Sequence, residues 1–192
     1  MRLRIHRTDG KTGTYVQDIS RRAQVLAQRL DPATIFASGP IVIGVLNPFT
    51  VLNPDDVCWV EAIGEGEMPE GYRPPGVERM RRLSGREEYE ALLARQWPRW
   101  RTNPKSSPGD LLEALVELSL RSGQSVYLHL TGVVADHPLD QALFGVPALT
   151  ASIDPDGMLY INPKCIVRAR IYHSRSEVVY PRGIWFAEAD EI

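Results

Sequence analysis

The tetrapeptide Val-Leu-Asn-Pro occurs twice in quick succession, as Val45-Leu46-Asn47-Pro48 and Val51-Leu52-Asn53-Pro54. Asn-Pro starts turns, and a residue that precedes proline is pushed out of the helical region. Residues 41 to 63 are therefore barred from forming one long helix. They read as strand ends and sharp turns: Ile41 to Leu46 as one strand, and Val57-Cys58-Trp59-Val60 as the start of another that runs to Ile63.

The same grammar extends to both sides. Arg2 to His6 reads as a strand, Thr8-Asp9-Gly10-Lys11-Thr12-Gly13 as a hairpin turn, and Thr14 to Ile19 as the return strand. A terminal strand such as Arg2 to His6 could also pair with a neighbouring subunit. Ile19, Ala23, Leu26 and Leu30 make one apolar stripe, which predicts a helix over Ser20 to Leu30 ended by Asp31-Pro32. Residues 64 to 77, rich in Gly, Pro and Glu, read as a surface loop or linker.

Two helices are expected in the middle of the chain. Ser84-Gly85-Arg86-Glu87 has the form of a capping box, and Tyr89, Leu92, Leu93 and Trp97 would be the buried face of a helix stopped by Pro98. A third helix is expected from Ser107 as cap and Pro108 at its first position. Leu111, Leu112, Leu115, Val116 and Leu118 would be its apolar face and Gly123 its closing residue. Beyond it, Ser125 to Thr131, Ala148 to Ile153, Met158 to Ile161 and Cys165 to Tyr172 read as strands, with a turn at Asp154-Pro155-Asp156-Gly157. In the last of these, Cys165, Val167, Ala169 and Ile171 would share a face. Val178 to Tyr180 and Ile184 to Ala187 would add short final strands.

The expected fold class is α+β, β-dominated, with antiparallel sheets or small barrels and about three helices. The chain divides into an N-terminal β-rich module (1–64), a connection (65–77), a helical pair (78–123) and a C-terminal β-rich module (124–192), or forms one compact unit. At 192 residues, 43% hydrophobic and 24% charged, it can bury a proper core. Its net charge of −2 rules out a polycation. The charge is bipolar: six carboxylates and no Lys or Arg from Asp55 to Glu70, then eight cations against four glutamates from Glu78 to Lys105. No apolar run approaches the roughly 20 residues that a bilayer-spanning helix needs. No signal peptide is read at the N-terminus, so a cytoplasmic or virion location is expected.

Chemistry is sparse. There is no phosphate-binding glycine loop, no His-Glu-x-x-His and no nucleophile elbow, so no cofactor or metal is expected. Cys58 and Cys165 lie in apolar runs and read as buried free thiols, although neighbouring strands would permit a disulfide. The histidines His6, His129, His137 and His173 are scattered, and Asp136-His137 with Asp140 is the one local cluster of acid/base side chains. A small enzyme would be built from residues that converge only in three dimensions, with His129, His137 and Asp136 as the first candidates. The most binding-like stretch holds Trp97, Arg99, Trp100, Arg101 and Lys105, residue types enriched at binding hot spots and suited to single-stranded nucleic acid. Trp100 is expected to lie outside the flanking helices, partly accessible; the alternative reading is that Trp97 and Trp100 anchor a loop onto the sheet, with the arginines covering them from water.

Two resemblances follow from these segments. The third helix with Ser125 to Gly132 resembles the opening of an Sm-like barrel, and Ile161-Asn162-Pro163-Lys164-Cys165-Ile166-Val167 is similar to that family's last conserved strand. The insertion from Asp136 to Pro147 departs from the pattern. Val51 to Val60 resembles the strand–turn–strand of small barrel modules in tailed-phage structural proteins. The expected function is that of a non-catalytic structural or assembly protein contacting other protein subunits, most concretely a virion component at the head–tail neck or tail. The alternatives are an Sm-like or other small-barrel module for RNA or single-stranded DNA, and a small enzyme around His129 and His137.

Overall fold

In the computed structural model, residues 1–37, 39–44, 50–64, 77–103, 110–133 and 145–174 are described. The first Val-Leu-Asn-Pro copy, Lys105, Ser107, Pro108, Asp136, His137, Asp140 and the expected strands at 178–180 and 184–187 lie outside them. Among the described residues the elements are β1 (Arg2–Arg7), β2 (Thr12–Val16), α1 (Ser20–Gln28), β3 (Ile41–Ile43), β4 (Thr50–Leu52), β5 (Val57–Ile63), β6 (Val77–Arg82), α2 (Arg86–Thr102), β7 (Leu111–Leu120), β8 (Ser125–Val133), β9 (Leu149–Ile153), β10 (Gly157–Ile161) and β11 (Ile166–His173). The chain is thus β-dominated α+β, as expected, but the strands form no closed barrel. Nine of them make one mixed sheet in the order β11-β7-β8-β6-β9-β10-β5-β1-β2, and β3 and β4 form a separate two-stranded ribbon. Neighbours run antiparallel except β6 and β9, which are joined in parallel through Arg81 and Ser152.

The helix expected over 107–123 is instead strand β7 with the turn that follows it. Leu112, Ala114, Val116, Leu118 and Leu120 are buried on one face with period two, while Leu115 is buried on the other. Both faces of β7 are covered, so its apolar run satisfies a helical and a strand period equally well. Gly123, with φ +79°, turns the hairpin into β8 rather than closing a helix. The helix–strand opening that resembled an Sm-like barrel is therefore a hairpin.

Smaller differences have similar local causes. The return strand is Thr12–Val16, earlier than expected, and β1 lies inside the sheet between β2 and β5. Helix α2 starts at Arg86, so it is Glu88, not Glu87, that accepts from the Ser84 backbone N–H (2.7 Å) and hydroxyl (2.9 Å). In β11 a bulge between Ile166 and Arg168 turns Val167 out to solvent, 68% exposed, while Ala169 and Ile171 stay on the core.

One face of the sheet packs Trp59, Met80, Val116, Leu128, Leu130 and Leu159 together. The opposite face is covered at one end by Leu30, Ile35 and Phe36, which follow α1 onto Leu3, Ile5, Val60 and Tyr160. At the other end α2 lays Tyr89 and Trp100 over Leu83 and Leu115.

Two Asn-Pro turns form a seam where the start of β5 meets the end of β10. Asn53 Oδ1 accepts from the Asp55 N–H (3.2 Å) and Asn162 Oδ1 from the Lys164 N–H (3.1 Å), each starting one 3₁₀ turn with proline at its first position. The second turn docks under the first. The buried Asn162 amide donates to Pro54 O (3.2 Å) and Val57 O (3.1 Å), and Cys165 Sγ lies 3.5 Å from Val57 O. Cys58 and Cys165 are both buried and free. Burial, then the neighbouring Cys58 thiol, pushes Cys165 up to about 12, so it stays a protonated packing group.

Replacing Asn162 with alanine removes both hydrogen bonds across the seam and its own cap on the Lys164 N–H, about 0.5–1.5 kcal/mol for each bond lost. Asn53→Ala removes an exposed cap worth about 1 kcal/mol. Urea unfolding is expected to rank Asn162→Ala well below Asn53→Ala; equal losses would show that the seam does not hold the strands.

Candidate functional site

Trp97, Arg99, Trp100 and Arg101 all lie on α2, which continues one turn past Pro98 instead of stopping there. A proline inside a helix costs about 3 kcal/mol. Burying a tryptophan removes about 150–250 Å² from water, worth roughly 4–6 kcal/mol at about 25 cal/mol/Å², and so outweighs it. Trp100 is 6% exposed, packed with Leu83, Tyr89 and Leu115, and its indole N–H points at Glu113 Oε2 (3.4 Å). The Thr102 hydroxyl donates to the Pro98 and Arg99 carbonyls (3.0 and 3.1 Å) and finishes the last turn. The expectation of an accessible Trp100 between helices is thereby corrected: it anchors the helix. Trp97 is half-buried, edge-on to Tyr172 with ring centroids 5.1 Å apart. Arg99 and Arg101 are exposed.

Arg99 and Trp100, but not Trp97 or Arg101, line a cleft of about 500 Å³ with Gln96, Asn103, Glu113 and Ser174, among others. Glu113 joins it to His129, whose Nε2 lies 3.9 Å from Glu113 Oε1. Burial lowers the His129 pKa below the ordinary histidine value, against the pull of Glu113. His129 is therefore a neutral imidazole at neutral pH. The structure brings Arg99, Trp100 and His129 to one neighbourhood, with Glu113, which the sequence had hidden inside an expected helix.

A second polar centre was not foreseen. Glu61 is 3% exposed and points to the same face as the main core. Arg4 stands opposite it on β1 (3.5 Å), Arg82 pairs with it from β6, His6 Nε2 lies 3.4 Å away and the Trp59 indole N–H reaches it at 3.4 Å. His6 stacks on Trp59 with centroids 4.0 Å apart. Burial alone would raise the Glu61 pKa; the adjacent His6 imidazole and the Arg82 guanidinium more than reverse this and hold it at about 2. Oε1 is engaged by Arg82, the Trp59 indole N–H and the nearby His6, and Oε2 by Arg4. The sequence signal was available: a glutamate in the apolar run Val57–Ile63, facing a strand that alternates Arg2, Arg4 and His6 with apolar residues.

Among the described residues, no group of three or more His, Cys, Asp and Glu is placed to hold a metal ion. No helix among them is long and apolar enough to cross a membrane. Comparison with protein-family models, curated proteins and solved structures finds no match.

Because the folded pKa of Glu61 is depressed from 4.5 to about 2, its contribution is complete above about pH 4.5 and is lost as pH falls toward 2. Glu61→Gln is expected to lower stability by roughly 3 kcal/mol near neutral pH, and the gap from the parent should close in acid. Chemical denaturation at several pH values measures this. A constant gap would show that the ion pairs are not its origin.

Proposed function

We propose that the chain is a non-catalytic structural protein that works in an assembly by contacting other protein subunits. One observation carries this reading. The β3–β4 ribbon is apolar on both faces: Ile41, Ile43 and Leu52 pack on the body of the protein, while Val42 and Val51, paired across the strands, are 60% and 54% exposed. Strands apolar on both faces are normally covered on both, and a ribbon this short gains little stability by itself. A protein surface laid over Val42 and Val51 would supply the missing cover.

The most concrete version is a virion component of a tailed phage, at the head–tail neck or tail. Its support is analogy: Val51 to Val60 forms a strand–turn–strand, β4 into β5, that resembles an element of small modules in such proteins. A second reading, binding of RNA or single-stranded DNA, is favoured by α2. After Glu90 the helix has no acid, and Arg95, Arg99 and Arg101 have no carboxylate partner among the described residues. With Trp97 and Trp100 turned into the core, such binding would rest on phosphate contacts and fall steeply with salt.

A photo-crosslinking residue at Val42 tests the main reading in the native cell, with exposed Glu87 as control. The expected result is a recurrent protein adduct, identified as one subunit, from position 42 only. No adduct, or adducts with nucleic acid alone, would overturn the proposal.

A further inference from the structure

The outer edge of the sheet at β2 is open in a way that fits one partner, a second copy of this chain. Strand β2 pairs with β1 on one side only. Met1 and Gln17 exchange backbone hydrogen bonds (2.9 and 2.8 Å), and Arg7 N–H donates to Lys11 O (2.9 Å). Antiparallel bonding alternates along a strand, so Gly13 and Tyr15 also face β1. The N–H and C=O groups of Thr12, Thr14 and Val16 point away from it. Among the described residues nothing bonds to these outward groups.

Natural edges are usually blunted by lysine, proline or a bulge. Thr12-Gly13-Thr14-Tyr15-Val16 has none of these, and Thr12, Thr14 and Val16 are exposed, Val16 at 68%. We propose that two copies join through β2 in an antiparallel, twofold pair centred on Thr14, making one continuous sheet across the dimer. That register sets Thr12 against Val16 of the other copy and uses every outward backbone group of the strand. It is the isologous arrangement that a closed dimer requires.

The charges at the strand ends choose the direction. Lys11 is exposed at one end, 3.9 Å from an Asp9 carboxylate that already serves Arg7; Asp18 is exposed at the other. The antiparallel pair brings Lys11 of each copy toward Asp18 of its mate, whereas a parallel pair would bring like charges together. Arg2 and Arg4 stand one strand back, so Arg4 faces its symmetry mate across three strand spacings, about 14 Å. That exceeds the screening length of roughly 8 Å at physiological salt.

This inference rests on the assembly reading and adds the chain itself as a partner. Light scattering after gel filtration, over a range of micromolar concentrations, is expected to give twice the 21.5 kDa chain mass. Thr14→Pro removes an outward N–H that the fold does not use, and is expected to give a monomer with unchanged circular dichroism. Lys11→Asp and Asp18→Lys are each expected to weaken the dimer about tenfold, since each reversal acts at both symmetric pairs. The double reversal is expected to restore it. A monomer at every concentration, a dimer indifferent to Thr14→Pro, or a double reversal that restores nothing would overturn the proposal. A monomer whose native assembly is nevertheless lost on Thr14→Pro would assign β2 to a foreign strand and overturn it equally. Cross-linking at Val42 does not involve β2, so the failure of self-pairing and the failure of the assembly reading are separable.

Discussion

The Glu61 carboxylate is the constraint on which the shape of the sheet depends. Strands β5 and β6 are three positions apart in the sheet order, about 14 Å in a flat sheet. Yet Arg82 on β6 is paired with Glu61 on β5. Two side chains cannot close that gap across a flat surface, so the sheet must curl toward the face they share. That curl brings Trp59, Met80, Leu128 and Leu159 together as a core that the sheet builds from its own strands, without a second sheet opposite. A buried charge is costly unless paired. Arg4 and Arg82 pair with this one and the Trp59 indole donates to it, and so a potential liability becomes a fixed point for three strands.

The Asn-Pro turns do the complementary work at the other end of β5. Each is a local device, a side-chain oxygen capping one 3₁₀ turn. Only the buried member, Asn162, reaches across to the backbone of the other. The seam is thereby directional: Asn53 stabilises its own turn, whereas Asn162 stabilises the junction of β5 with the end of β10. The Lys164–Asp55 pair at 3.1 Å lies over this junction but is solvent-exposed, and exposed pairs contribute about 0–1 kcal/mol.

Local signals in the sequence were legible where turn residues bound an element or one stripe of it is apolar, but strand β6 went unread inside the expected connection and helical pair. The β1–β2 hairpin, the amphipathic α1, the Asp154–Gly157 turn and strands β8 to β10 follow from turn chemistry and periodicity. Strand β7 did not, because both its faces are buried and its leucines satisfy either period. Pro98 was read by its backbone cost alone, while the burial of Trp100, a tertiary fact, outweighs that cost. The doubled Val-Leu-Asn-Pro motif marked the right chemistry, but the turn that Asn53 meets in space is the one at Asn162, more than a hundred residues away. The cleft beside α2 was half visible: Arg99 and Trp100 from composition, His129 as an isolated histidine. Glu113 lay hidden in the misread strand. Glu61 shows the limit most plainly: a lone glutamate in an apolar run and the alternation of β1 were visible, but not that β1 and β6 would meet it.

Among the described residues, Glu61 is paired with Arg4 and Arg82, Trp100 is an anchor and Cys165 is a buried neutral thiol. The proposed assembly role rests on three outward features: the Val42–Val51 face of the ribbon, the open β2 edge and the exposed arginines of α2. Sedimentation of a lysate from the native cells, with the chain followed by mass spectrometry, tests this most directly. The account expects the chain in a fast-sedimenting particle with the same set of protein subunits, unchanged by nuclease. Recovery only as the free chain or its dimer, or release from the particle by nuclease, would contradict it.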